Sequence, residues 1–156
     1  MKILIALDAS PHSEHALRFA SRMRWPAGSR VIVVSALQPV ASPGATGPDL
    51  GAMPDEVLAD RRRQLGELVA NAESELRDSG FATEGRVEVG DPREVLLAIV
   101  QNERADLLVV GSHGRTGIAK LMLGSVSSHV VTHAPCSVLV VKQARTTPQA
   151  GGRQEQ

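Results

Sequence analysis

The residues whose types and spacing most plainly suggest chemistry are Gly111, Gly114 and the pair Gly124-Ser125. They follow an aliphatic run, Leu107 to Val110, of the kind that forms a strand buried on both faces. Glycines so placed let the backbone turn sharply and approach a ligand closely. A helix opening near Ser125 would aim unpaired N–H groups and the positive end of its dipole at the same place. Such a place suits an anion, and phosphate is the usual one. A strand, a glycine-rich loop and a helix start therefore make a nucleotide-site hypothesis. The loop also carries Gly117 and Lys120. The GxxxxGK[ST] register is absent, so Lys120 does not read as a P-loop lysine.

Other residues carry weaker signals. Asp8 closes an aliphatic run at the N-terminus, where it can hold a ligand or simply cap the next turn. His113 sits between the glycines and could act as an acid or base, but no partner nucleophile or carboxylate is identifiable beside it. His129 and His133 fall four apart on a helix without an evident third metal ligand. Arg61-Arg62-Arg63 reads as a solvated helix face, with a phosphate or partner contact as the sharper alternative. Cys136, the single cysteine, rules out an intrachain disulfide and reads as a small packed side chain.

The elements that must position these residues alternate. Lys2 to Leu7 is a predicted strand, ending at Asp8-Ala9-Ser10-Pro11. Ser10 can cap a helix with Pro11 in its first turn and Ala16, Phe19, Ala20 and Met23 on its apolar face. Arg30 to Leu37 is a second apolar strand, and residues 38–53 read as an exposed loop rich in Pro and Gly. A long helix from about Pro54 to Ser79 carries Leu58, Leu65, Leu68, Val69, Ala72 and Leu76 on one face. Thr83 to Val89 is a more polar strand, suited to a sheet edge. Asp91-Pro92 opens the next helix, with Glu94 able to reach back as in a capping box. After the glycine loop, a helix from Ser125 carries Val126, Val130 and Val131 on its apolar side, and Ser137 to Val141 is the last strand.

Strand and helix alternating five and four times argue for an α/β fold, a single-domain three-layer sandwich around a parallel sheet. In such sheets ligands bind beyond the carboxyl ends of the strands where the strand order reverses, here at Asp8 and Gly111. Residues 1–142 form the expected domain, and 143–156 a polar, frayed tail. The core must be aliphatic, because the chain of 156 residues has two Phe, one Trp and no Tyr. A bound base would therefore rest on aliphatic walls and backbone groups. Seventeen basic residues balance seventeen acidic ones, which argues against nucleic acid and anionic membrane as partners. The opening residues lack the length and cleavage region of a signal peptide, so the expected location is cytoplasmic.

Gly111, Gly114, Gly124 and Ser125, with two residues and then nine between the glycines, resemble the nucleotide-binding pattern of the universal stress protein family. Asp8 followed by Ser10, the Gly90-Asp91-Pro92 helix start and the terminal CSVLVV strand extend the resemblance over nearly the whole chain. It implies a flavodoxin-like, adenine nucleotide alpha hydrolase-like sheet of order 3-2-1-4-5. It also implies that ATP is bound, with Mg2+ or Mn2+ as a possible companion. Gly114, Arg115, Gly124, Ser125, Val126 and the neighbouring Ser127 would hold the phosphates, mainly through backbone N–H groups. Asp8, with Ala9 and Ser10 beside it, and Val110-Gly111 would meet the ribose side, and Ala36 would contact adenine through its backbone. Asp8 could help hold the metal. Ala9 stands where family members often have Gly, which costs little if the turn avoids positive φ.

Two functions from different classes follow. One is a nucleotide-dependent sensor in the stress response, a regulatory module acting through dimer or protein-partner contacts. The other is a slow ATPase or phosphotransferase. Phosphoryl transfer wants a positioned cation, metal carboxylates and a base, of which the motif offers Arg115 and Asp8. A flavin carrier is disfavoured by the shortage of aromatics. The apolar last strand would be an exposed sheet edge unless paired, and the resemblance implies a homodimer through it.

Overall fold

The computed structural model describes residues 1–39, 54–114 and 123–143. Five strands, β1 (Lys2–Leu7), β2 (Arg30–Leu37), β3 (Ala82–Val89), β4 (Leu107–Gly111) and β5 (Ser137–Val141), alternate with four helices. The helices are α1 (Pro11–Arg22), α2 (Asp55–Asp78), α3 (Pro92–Glu103) and α4 (Ser125–His133). All strand pairs are parallel, in the order β3-β2-β1-β4-β5. The predicted sheet order is therefore the observed one, and the polar β3 does lie at an edge.

Strand alternation divides the core in two. Ile3, Ile5, Leu7, Val31, Val33 and Val109 face Ala16, Leu17 and Ala20 of α1 and Val69, Ala72 and Leu76 of α2. Leu4, Ile32, Val34, Leu108 and Val110 face Leu96, Ile99 and Val100 of α3 and Val130 of α4. Each central strand is buried on both faces, as its unbroken aliphatic run requires.

Three packing expectations need correction. Phe19 and Met23 are 44% and 37% exposed, because the buried stripe of α1 is Ser13, Ala16, Leu17 and Ala20. Val131 is 48% exposed, since Val130, one step round the helix, takes the core position. Glu94 does not complete the α3 cap. Asp91 accepts from the Arg93 backbone N–H at 2.8 Å, and the Arg93 guanidinium folds back onto the same carboxylate. The triple arginine meets solvent at Arg62 and Arg63, the latter paired with Asp60. Among the described residues, no helix is long and apolar enough to cross a membrane.

Candidate functional site

At the carboxyl end of β1 the chain turns at once into α1. Asp8 Oδ1 accepts from the Ser10 N–H at 3.1 Å, which closes the turn over Ala9. Ala9 has φ +60°, so the turn uses the left-handed region that glycine would occupy without penalty. The condition under which alanine costs little here, a turn without positive φ, is therefore not met. Ser10 is buried, and its hydroxyl caps α1 by accepting from the Ser13 N–H at 3.1 Å.

At the end of β4, Gly111 is needed for room rather than for its dihedral angles. A Cβ there would lie 2.7 Å from the His12 carbonyl carbon and 2.9 Å from the Ser13 nitrogen. β4 and the first turn of α1 thus meet backbone to backbone. The next residue is anchored twice, with the Ser112 N–H donating to Val141 at 2.9 Å and its carbonyl accepting from the Gly124 N–H at 2.8 Å. That second bond brings the start of α4 against the end of β4. A Cβ on Gly114 would fall 2.6 Å from Asp8 Oδ2, and one on Gly124 would fall 3.2 Å from the His113 Cα. Ser127 is buried and donates its hydroxyl to the Gly111 carbonyl at 2.6 Å.

These close approaches leave a cleft of about 220 Å³ between the ends of β1, β2 and β4 and the starts of α3 and α4. Among the described residues no side chain caps α4 at Gly124, and the helix's first backbone bond runs from Ser128 to Gly124. The N–H groups of Ser125, Val126 and Ser127 precede that bond and have no acceptor within the helix. They carry the positive end of its dipole. Away from them, Val34, Ala36, Pro92, Leu96 and Val110 give the cleft an aliphatic slot, with Gln38 at the end of β2. One end of the cleft thus suits an anion and the other a flat apolar ring.

Of the residues singled out from sequence, Asp8, Ala36, Val110, Gly111, Gly114, Gly124, Ser125, Val126 and Ser127 line this one cleft. Ala9 and Ser10 do not line it; they shape the turn that presents Asp8. Arg115, Gly117, Lys120 and most of the loop at 38–53 lie outside the described residues. Pro92, Leu96, Val34 and Gln38 were not picked out as lining. For Val34 and Gln38 the signal was available, since alternation along β2 puts both on the face of Ala36. Beside the cleft, the Arg93 guanidinium and its backbone N–H hold the Asp91 carboxyl down to about 2. His129 and His133 stack with ring centres 4.3 Å apart, and no metal-ligand group of three exists among the described residues.

Comparison with known proteins agrees with this fold. The model of the universal stress protein family matches residues 1–142. The chain is 35% identical to a universal stress protein of Thermus aquaticus over 145 residues, covering 90% of this chain and 97% of that one. The solved structure of MJ0577, from Methanocaldococcus jannaschii, superposes with a TM-score of 0.72 at 26% identity, over 93% of this chain and 97% of that one. The universal stress protein from Archaeoglobus fulgidus, solved in complex with dAMP, superposes with a TM-score of 0.59 at 26% identity, over 90% and 96% of the two chains.

Proposed function

The chain belongs to the universal stress protein family, and we propose that it is a cytoplasmic ATP-binding regulatory module. The observation that carries this reading is the start of α4, uncapped among the described residues, facing the end of β1 across glycines that hold the space open. The triphosphate would lie on the amides of Ser125, Val126 and Ser127, with Gly114, Arg115 and Gly124 around it. The ribose would stand near Asp8 and Gly111, and adenine would enter the slot of Val34, Ala36 and Leu96. Mg2+ or Mn2+ would accompany the phosphates. The relative from Archaeoglobus fulgidus, solved with dAMP, supports an adenine nucleotide as the class of ligand.

Regulation needs a surface that reads the bound state. β5 pairs with β4 alone, and its other edge is open among the described residues. An open apolar edge recruits another strand. The proposal therefore includes a homodimer through β5 and signalling through dimer or partner contacts rather than through turnover. Calorimetry with ATP tests the site. Wild type binds, and Gly114→Ala, whose methyl displaces the Asp8 carboxylate, loses about tenfold or more in affinity while keeping its thermal midpoint. Equal affinity in the two proteins contradicts the assigned site. Rapid ATP hydrolysis under single-turnover conditions would favour the enzyme reading instead.

A further inference from the structure

Two histidines at the cleft have no part in the nucleotide reading. His113 lines the cleft from the glycine loop. His12 stands in the first turn of α1, directly under Gly111. The two rings lie 5.1 Å apart, centre to centre, tilted by 47°. His113 Nδ1 is 3.2 Å from the Ser112 hydroxyl, on a residue whose backbone is anchored to β5 and α4. The other nitrogen of that ring, Nε2, is buried without a hydrogen-bond partner among the described residues, and so is His12 Nδ1. A buried polar atom left unpaired is costly, and two on neighbouring rings call for a physical reason. The ring separation supplies one. Two imidazoles sharing an N–H···N bond stand roughly 5 Å apart, about 2.9 Å between nitrogens and about 1.1 Å from each nitrogen to its ring centre. A small rotation would let one N–H serve both orphaned atoms.

We infer that His12 and His113 form a one-proton dyad that links nucleotide binding to pH, an inference that rests on the nucleotide reading above. When the pair takes one proton from the buffer, His113 donates from Nδ1 to the Ser112 oxygen and from Nε2 to His12 Nδ1. The added charge arrives with its acceptor in place. A second proton would set two cations at the ring separation and is opposed by their repulsion. The first lies in the loop beside the phosphate end of the cleft, where a bound anion favours the charged form. By reciprocity, the charged form favours the anion.

The described elements around the pair bring it both charged and neutral groups. From β1 the loop meets the Asp8 carboxylate at Gly114. The first turn of α4 brings Ser125, Val126 and Ser127, none of them titratable. From β5 and beyond come the Val141 carbonyl and the neutral Gln143 amide, which reaches Pro11 at 3.5 Å. Next to His12 on α1 stand Pro11 and Ser13.

Calorimetric titration of the full chain with ATP, at several pH values and in pairs of buffers with different ionisation enthalpies, counts the protons taken up. His12→Gln removes the dyad and leaves the proton exchange of ATP and of an isolated His113 as the baseline. Between pH 8 and pH 6 the wild type gains affinity over the variant by several-fold, bounded by about tenfold per pH unit for one proton. Near pH 7 it takes up a larger fraction of a proton than the variant. Equal uptake in the two proteins overturns the dyad and leaves nucleotide binding standing. Failure of the wild type to bind ATP at any pH overturns the nucleotide reading and this linkage with it. Should His12→Gln not fold, the imidazole 15N shifts of the wild type decide. Addition of ATP at pH 7 moves those of His113 towards imidazolium, and no movement overturns the proposal.

Discussion

Replacing Gly111 by alanine tests how β4 and α1 are held together. The new methyl would lie 2.7 Å from the His12 carbonyl carbon, 2.8 Å from its oxygen and 2.9 Å from the Ser13 nitrogen. All three are backbone atoms in the first turn of a capped helix, so no side chain can swing away. To reach an ordinary contact of 3.4 Å, α1 must retreat by about 0.7 Å from the sheet. That shift strains the Ser10 cap and loosens Ala16 and Leu17 against Ile5 and Val109. Forced overpacking costs about 1–3 kcal/mol, and unyielding backbone neighbours place this case near 2–3 kcal/mol. For a chain of this length that lowers the thermal midpoint by roughly 5–10 °C. Urea unfolding of Gly111→Ala beside wild type measures the loss directly. A change below about 0.5 kcal/mol would refute the backbone contact that defines this corner of the cleft.

Two further outcomes follow from the same region. Ala9→Gly relieves an alanine held at φ +60° and raises stability by about 0.5–1 kcal/mol, net of the added chain entropy; an unchanged or lower urea midpoint contradicts it. Asp91 titrates at about 2 in the folded protein, against an ordinary value of 3.8, because the Arg93 guanidinium and backbone N–H favour its charged form. Its depressed value means that the cap contributes fully above the unfolded value and is lost as pH falls through the folded one. Asp91→Asn therefore flattens the stability profile between pH 4 and pH 2, and an unaltered acid limb contradicts the cap.

The sheet was legible because its signal is local. Leu107 to Val110 is apolar at every position, which only a doubly covered strand tolerates in water. The glycine spacing located the cleft for a related reason: Gly111, Gly114 and Gly124 each stand where a side chain would meet a neighbouring segment. What escaped depends on distant partners. At Ala9 the residue type itself misleads, since an alanine occupies the left-handed turn that the Asp8 carboxylate and the Ser10 cap close around it. Phe19 shares a helical period with Ala16, yet the sheet contacts α1 one residue further round, through Leu17 and Ala20. His12 and His113 are separated by a hundred residues of chain, and only the packing of α1 on β4 brings their rings together.

Amide spectra recorded as ATP is added to 15N-labelled protein test the central claim most directly. The account predicts that the resonances of Gly114, Gly124, Ser125, Val126 and Ser127 shift together and saturably, with Ala36 following as the base enters the slot. Those of the far edge, from Ala82 to Val87, stay still. Saturable shifts elsewhere, with the amides at the start of α4 unmoved, would contradict it.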